Sequence, residues 1–363
     1  MAVQTLQANT LQYAQDITLE GDWEVLGTIP AKVRIQVNNG SITAQKVNDD
    51  VSIAAPNGDI RLEKSGMSNT LEASGNIEIG TIKSFNKIKA GGAVNFQKAD
   101  NGADTIPMSI TGKSVSGKIA GDYATITATN GNITLEKIGS SATIKASQDI
   151  QLGTVGSFAK VTAGGAITFE KVGNGAQNIP LSFVGTSITG KTIGDYATIN
   201  ATNGDIDLEK VGSSATIDAT GNIKFGLVGS FSTATARGAI EFDKIGTGAD
   251  SIPMSLRGKT ISGRAAGDYA TIIADGGDIR LEKMGSSGTL NASGNIELGT
   301  AGGFLKAQAG KIIRYERAGT NPTFDSLDQI VRPWAEAPPA PPPPTATNPT
   351  TIINEAEIIA AQR

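Results

Sequence analysis

Acidic and basic residues recur as adjacent pairs along this chain of 363 residues. An aspartate or glutamate is followed by lysine in six related pairs: Glu63-Lys64, Glu136-Lys137, Glu170-Lys171, Glu209-Lys210, Asp243-Lys244 and Glu282-Lys283. A stacked column of carboxylates could bind cations, or could cleave glycosides with paired acids. Because a lysine stands beside each acid, the pattern is more typical of a solvated surface. We therefore expect no catalytic residue, no metal site and no cofactor, and a protein that is not an enzyme.

Aromatic residues form a second repeated set, which the spacing places in one possible surface column. Its members are Tyr123, Phe158, Tyr196, Phe231, Tyr269 and Phe304. Exposed rings would make a ladder for contact with a sugar or a partner protein, whereas buried rings would fill a gap between sheets. The two tryptophans lie outside the repeats, so the repeated region lacks the usual sugar-stacking residue.

Composition excludes several classes of site. The chain has no cysteine and no histidine, which removes disulfides, thiolate metal sites and the commonest general base. Its net charge of −4 is mild and both signs are interspersed. We expect no basic stripe and no nucleic-acid partner. No apolar run is long enough to span a membrane.

One period organises the sequence. Three closely similar segments start at Gly121, Gly194 and Gly267, 73 residues apart, and a diverged copy covers residues 48–64. A fixed period in this range indicates a solenoid, in which each unit stacks on the next.

A shorter rhythm within each unit predicts the coil. Segments begin at Ala124, Ala142, Ala159 and Leu181, and each contains two short runs of alternating apolar and polar residues with a turn between them. Such alternation is typical of half-buried strands. We predict an all-β, single-domain β-solenoid, a parallel β-helix of about 16 coils of roughly 17 residues, and a rod roughly 75 to 80 Å long.

The register and the corners follow from the same pattern. Ile133 and Leu135 should point inward and Thr134 outward. An extra loop recurs in one coil of each unit and should end where proline meets the next strand, at Pro107, Pro180 and Pro253. The many glycines should serve corners that need a positive φ.

The ends differ from the repeats. We expect an N-terminal cap and partial coil over residues 1–30, the solenoid over 31–318, and a C-terminal cap over 319–335. A proline-rich linker over 336–349 should then lead to an amphipathic docking helix over 350–363. The apolar face of that helix would consist of Ile352, Ile353, Ala356, Ile359 and Ala360.

Two kinds of bacterial solenoid are similar to this chain. The runs from Gly131 to Leu135 and from Ser74 to Ile79 resemble the Gly-Asp-Ile-x-Leu rungs of filamentous-haemagglutinin-like adhesins. A solenoid rich in valine and isoleucine with a proline-rich tail also resembles the bactofilins, which implies a polymer-forming scaffold. The first ten residues hold no basic residue and no apolar run, so we expect no N-terminal secretion signal, unlike in adhesins; the chain is also far longer than bactofilins.

The sequence favours a structural or interaction protein: a rigid rod that acts as scaffold, filament subunit or surface fibre, with a tethered docking helix. Its partner would be a second copy or a protein recruited by that helix. The alternative is a β-helix that binds or degrades a polysaccharide, as phage tailspikes or secreted enzymes do. Two carboxylates in a groove without a neutralising lysine would favour the alternative. We expect either a cytoplasmic protein or one that reaches the cell surface without an N-terminal signal.

Overall fold

The computed structural model of the chain describes residues 3–331. They form a parallel β-solenoid of 37 strands, and their only helix is a 3-10 turn over Ala8–Thr10. In this described range no helix is long and apolar enough to cross a membrane. The predicted fold class is confirmed.

Odd-numbered strands form sheet 1, which has 19 strands. Their bounds are β1 Gln4–Gln7, β3 Trp23–Ile29, β5 Ile42–Val47, β7 Ile60–Ser65, β9 Ile77–Ile82, β11 Val94–Ala99, β13 Val115–Ala120, β15 Ile133–Ile138, β17 Ile150–Val155, β19 Ile167–Val172, β21 Ile188–Ile193, β23 Ile206–Val211, β25 Ile223–Val228, β27 Ile240–Ile245, β29 Ile261–Ala266, β31 Ile279–Met284, β33 Ile296–Ala301, β35 Ile312–Ala318 and β37 Gln329–Val331.

Even-numbered strands form sheet 2, which faces sheet 1 across the core. Their bounds are β2 Asp16–Glu20, β4 Arg34–Asn38, β6 Ser52–Ala55, β8 Thr70–Ala73, β10 Lys87–Ala90, β12 Met108–Gly112, β14 Ala124–Ala128, β16 Thr143–Ala146, β18 Lys160–Ala163, β20 Leu181–Gly185, β22 Ala197–Ala201, β24 Thr216–Ala219, β26 Thr233–Ala236, β28 Met254–Gly258, β30 Ala270–Ala274, β32 Thr289–Ala292, β34 Lys306–Ala309 and β36 Thr323–Ser326.

Each strand pairs in parallel with the strand two places further along the chain, so equivalent residues stack. Ile133 lies opposite Ile150, which lies opposite Ile167. Inward columns of isoleucine, leucine, valine and alanine from both sheets close one continuous core. Each coil therefore buries its apolar residues against the neighbouring coils, and the core does not need the wide interior of a globular domain.

The outward-facing residues show that sheet 1 strands bend. Along β15 the side chains point in, out, in, out, out and in, because Glu136 and Lys137 are both exposed. Ile133 and Leu135 are buried and Thr134 is exposed, as predicted. The bend at Glu136 divides the outer surface of sheet 1 into two strips that face in different directions.

The ladders are longer than the repeats indicate. Sheet 1 has 19 strands, one for each coil, whereas the sequence predicted about 16 coils. The difference arises because β1 to β3 and β35 to β37 join the ladders without the consensus pattern. Residues 1–30 and 319–335, predicted as caps, thus include strands of the rod. At ~4.8 Å per coil the described rod is about 85 Å long. The predicted linker and docking helix lie outside the described residues.

The prediction about glycine is wrong. Among described residues only Gly21 and Gly27 have positive φ, and the left-handed corner positions carry other residues instead. Corner glycines are required by close coil-to-coil approach: a Cβ on Gly139 would lie 2.3 Å from Asp122 Oδ1 and 2.4 Å from its backbone nitrogen. Absence of a side chain, rather than freedom of φ, selects glycine there.

Candidate functional site

The aromatic column lies along one edge of the rod, at the turn that enters each sheet 2 strand. Tyr196 has a φ of 54° and Phe231 a φ of 59°, so both rings are carried on left-handed backbone. The rings are partly exposed, at 39% for Tyr196 and 42% for Phe231. The structure thus places the column predicted from the sequence on the surface. All six rings occupy equivalent corners: Tyr123, Phe158, Tyr196, Phe231, Tyr269 and Phe304.

The extra loop of each unit projects an isoleucine at this same edge. In the second loop the Ala176 and Ile179 backbones exchange hydrogen bonds of 3.0 and 3.1 Å, which close a small hairpin. The isoleucine at the end of each hairpin is more than half exposed: 58% for Ile106, 54% for Ile179 and 57% for Ile252. The prolines that follow lead directly into β12, β20 and β28, as predicted.

Ring and isoleucine columns combine into a recurring triplet. Phe158 donates its backbone N–H to Asn174 at the start of the loop, and Leu181 after the loop donates to the carbonyl of Tyr196. Phenylalanine, loop isoleucine and tyrosine therefore occupy three consecutive coils. We call the three copies the apolar edge: Phe85, Ile106 and Tyr123; Phe158, Ile179 and Tyr196; Phe231, Ile252 and Tyr269.

The three triplets are equivalent and evenly spaced. Ser141 and Ser214 occupy the fourth coil of each repeat and separate one triplet from the next. Four coils at ~4.8 Å give a spacing of about 19 Å. The sequence predicted the ring column but not the loop isoleucines between the rings; their 73-residue recurrence was the signal that could have revealed them.

The left-handed backbone at this edge belongs to the corner rather than to the rings, because Ser141 and Ser214 adopt it in the same way. A residue with a Cβ in the left-handed region costs roughly 1–2 kcal/mol, and glycine or asparagine bears that cost best. Tyr196 and Phe231 occupy such positions while remaining partly exposed. Because serine takes the same conformation in the fourth coil, the exposure of the rings, and not their backbone, is the feature that a partner could use.

We expect Tyr196→Asn to leave the stability of the rod unchanged, or raise it by up to about 1 kcal/mol, because asparagine tolerates the left-handed region. Tyr196→Val, the matched control, should lower stability by about 1–2 kcal/mol, because a β-branched residue does not tolerate it. Urea melts of the two variants decide the question. Equal losses would mean that the ring is a structural requirement.

A chain of side-chain hydrogen bonds holds this edge in place. Asp122 Oδ1 accepts from the backbone N–H of Ser140 at 2.7 Å, and Asp195 Oδ1 accepts from Ser213 at 2.7 Å. The same bond links successive coils from Asn101 to Ser213. Each side-chain oxygen accepts the backbone N–H of the next coil, so a continuous series of hydrogen bonds joins the corners that carry the triplets.

The bend of sheet 1 separates the residues of each Glu-Lys pair. Lys137 lies opposite Thr154, which lies opposite Lys171, so the lysines share one column. That lysine column contains Lys46, Lys64, Lys98, Lys137, Lys171, Lys210, Lys244, Lys283 and Arg317. The expectation of no basic stripe is therefore wrong. Residues adjacent in sequence fall on opposite sides of the bend, so interspersed charges become separate columns.

The neighbouring acidic column contains its own ion pairs. Glu170 pairs with Lys191 of the next coil, and Arg264 binds Asp243 with two bonds, the longer 2.9 Å. The hydrogen bond that Arg264 donates holds the pKa of the Asp243 carboxyl below its usual value, and the hydrogen bond that Lys191 donates to Glu170 raises the pKa of Lys191. The neutralising cation thus comes from the next coil rather than from the adjacent lysine.

A shallow groove runs along sheet 1 beside the acidic column. Its floor is formed by inward residues such as Leu135 and Phe169, and its far wall by Thr134 and its equivalents. In residues 3–331 no group of three or more acidic side chains is arranged to hold a metal ion.

Comparison with protein-family models, curated proteins and solved structures found no match to this chain. The resemblance to adhesin-type solenoids and bactofilins holds at the level of architecture, a parallel β-solenoid.

Proposed function

We propose that this protein is a non-enzymatic scaffold, a rigid rod that presents three equivalent docking sites to protein partners. The apolar edge carries this proposal, because it repeats one exposed triplet every ~19 Å on a supported corner. Linked, equivalent sites raise the affinity for a partner that offers several copies of a binding segment. The rod sets the distance between bound segments.

The charge arrangement supports a role other than catalysis. Asp243, one of the two acids on either side of Gly226 in the acidic column, is ion-paired with Arg264. Glu170, which lies next to Gly153 in the same column, is ion-paired with Lys191. Paired acids that hydrolyse glycosides need one carboxyl with a raised pKa. Arg264 has the opposite effect on Asp243.

The C-terminal residues offer a ligand for these sites. Ile352, Ile353 and Ile359 follow a proline-rich stretch in the sequence. A segment with spaced isoleucines can bind an apolar site on a second rod, as short segments bind grooves in other proteins. Filament formation, implied by the resemblance to bactofilins, would then proceed through the tail of one rod and the edge of another.

A peptide of residues 350–363 tests this docking. It would be titrated by calorimetry into the full chain carrying Ile352→Ser, Ile353→Ser and Ile359→Ser, so that the attached tail does not compete. We expect up to three peptides per rod. Ile106→Ser, Ile179→Ser and Ile252→Ser in the same chain should weaken binding at least tenfold, because each change removes the exposed apolar group of one triplet.

The matched control replaces exposed residues of sheet 2 instead, with Thr143→Ser, Thr216→Ser and Thr289→Ser. These changes should leave both binding and the thermal melt unaltered. Binding that survives loss of all three loop isoleucines would refute the apolar edge as the docking site.

A second candidate function is binding of a linear polysaccharide along the sheet 1 groove, which the continuity of that groove favours. Glycan-array binding that is lost in Thr134→Trp and Thr168→Trp, which would obstruct the groove, would support this alternative.

A further inference from the structure

Two columns of outward residues run side by side along the bend of sheet 1. They take the two outward positions at the bend in each of the sixteen strands from β5 to β35, such as Glu136 and Lys137 in β15. We call the acidic column and the lysine column together the charged ridge. At ~4.8 Å between coils the ridge is about 70 Å long, which is most of the described rod.

No coil of the charged ridge carries the same sign of charge in both columns. In seven coils an acid lies beside a basic residue, as Glu136 lies beside Lys137. The sequence indicated six of these pairs, and Glu316-Arg317 is the seventh. In two more coils a glutamine lies beside a lysine, at Gln45-Lys46 and Gln97-Lys98.

The other seven coils have no acid in the ridge. Three of them carry a cation in the acidic column, always beside an uncharged residue: Lys118-Ile119, Lys191-Thr192 and Arg264-Ala265. Four carry glycine in that column, also beside an uncharged residue: Gly80-Thr81, Gly153-Thr154, Gly226-Leu227 and Gly299-Thr300. The two columns therefore complement each other in charge along the whole ridge.

Few charges of the ridge are neutralised within the part of the chain that the structure describes. The ion pairs of its residues there are Lys98–Asp100, Lys191–Glu170 and Arg264–Asp243. The remaining acids and bases of the ridge form no ion pair among the described residues. An acidic column beside the lysines disfavours a polyanion as a ligand. A surface that carries both signs of charge at the same spacing matches the ridge better.

We propose that two copies of this chain pair side by side and parallel through the charged ridge. The two-fold axis would lie in the interface and run along the rods. Rotation about this axis reverses left and right between the facing surfaces, so each acidic column lies opposite the lysine column of the other copy. Glu136 of each copy then meets Lys137 of the other. Interfaces with two-fold symmetry require such self-complementarity.

The charges also select the direction and the register. An antiparallel pair would place the acidic columns opposite each other, and the lysine columns likewise. In a parallel pair, a stagger of one coil would bring Lys137 opposite Lys118 of the second copy and Lys210 opposite its Lys191. With no stagger every coil faces its own equivalent, and no coil places like charges opposite each other.

The apolar residues of the ridge fit the same arrangement. Ile119 is 39% exposed and Leu227 is 43% exposed, although both lie in a charged column. In the parallel pair Leu227 faces Gly226 of the second copy, and Ile119 faces the methylene chain of Lys118. A ridge about 70 Å long and about 10 Å wide gives roughly 700 Å² from each copy, close to the size of ordinary stable interfaces.

Sedimentation velocity of the full chain tests the pairing. At about 50 mM NaCl the protein should sediment as twice its mass of 37.2 kDa, and the dissociation constant should rise at least tenfold at about 500 mM because salt screens exposed charges. The lysine reversal, Lys64→Glu, Lys137→Glu, Lys210→Glu and Lys283→Glu, should give a monomer, because four coils would then place acids opposite acids.

An exchanged variant distinguishes the proposed facing of columns from any other. It adds the opposite change to the lysine reversal: Glu63→Lys, Glu136→Lys, Glu209→Lys and Glu282→Lys. Because acid and lysine change places in both copies, the exchanged variant should form a dimer with itself at low salt. It should not pair with the unaltered chain, since like charges would face each other in those four coils.

Mixed pairing is measured by joint dialysis from about 500 mM to about 50 mM NaCl, followed by capture of an affinity-tagged unaltered chain. The tagged chain should retain untagged unaltered protein and not the exchanged variant. A matched control reverses four exposed lysines of sheet 2, Lys87, Lys145, Lys160 and Lys306, which makes the same change in net charge as the lysine reversal. That control should remain dimeric. Thermal melts of all variants would establish that each is folded.

Direction can be measured separately because the chain has no cysteine. A spin label on Thr43→Cys, near one end of the ridge, should lie about 20–30 Å from its counterpart in the parallel pair. In an antiparallel pair the two labels would be about 70 Å apart. A monomer at low salt, a dimer insensitive to the lysine reversal, or capture of the exchanged variant by the unaltered chain would each overturn the proposal.

The pairing goes beyond the docking function proposed above. The apolar edge lies four residues further along each coil than the lysine column, as Ser141 follows Lys137. Loss of the dimer in the lysine reversal should therefore leave binding of the 350–363 peptide unchanged, so either proposal can fail without the other.

Discussion

Ile206→Asp is expected to lower the stability of the rod by about 3–5 kcal/mol, whereas Asp207→Ile changes it by less than about 1 kcal/mol. Ile206 is 1% exposed and stacks between Ile188 and Ile223 in an inward column. A carboxylate there would lose its water without gaining a partner. Asp207 points outward from the same strand, so an isoleucine at that position only covers part of the surface.

Urea melts of the two variants, followed by circular dichroism, provide the measurement. Asp207→Asn serves as a second control, because it removes the charge and keeps the shape. Comparable losses from Ile206→Asp and Asp207→Ile would contradict the alternation of β23, and with it the register of the whole ladder.

Gly153→Ala is expected to cost about 2–3 kcal/mol, although it adds a single methyl group to an outward position. A Cβ on Gly153 would stand 2.2 Å from the carbonyl oxygen of Glu136 in the preceding coil. The neighbouring atom belongs to backbone that is held in the ladder between β15 and β17. The two coils would therefore have to separate.

Gly204→Ala is the matched control, since its Cβ would meet its nearest atom, the carbonyl oxygen of Thr186, at 3.1 Å. That change should alter stability by less than about 1 kcal/mol, partly because alanine restricts the unfolded chain. Differential scanning calorimetry would compare the two. A similar melting temperature for both variants would show that close coil approach does not select glycine at position 153.

Much of this molecule could be predicted from periodicity. The 73-residue period and the alternation of Ile133, Thr134 and Leu135 predicted a solenoid with the correct register. These features are local: a strand that alternates in sequence alternates in space, and a repeat that cannot bury its own apolar face must stack. The ring column followed for the same reason, because one period brings Tyr123 and Tyr196 to equivalent corners.

Contacts between coils were decided by the tertiary structure. The bend that sends Glu136 and Lys137 to different strips depends on how the inward residues of sheet 1 pack against sheet 2, and alternation alone does not reveal it. The fit of Gly153 against Glu136 likewise joins residues of successive coils.

The apolar edge depends both on the sequence period and on the tertiary structure. The sequence by itself determined that rings recur at one corner and that a loop interrupts every fourth coil. Only the structure placed Ile179 between Phe158 and Tyr196, because the loop folds back into its own small hairpin at that corner. Distances across stacked coils depend on the ~4.8 Å ladder spacing and on loop geometry, neither of which is encoded by neighbouring residues in the chain.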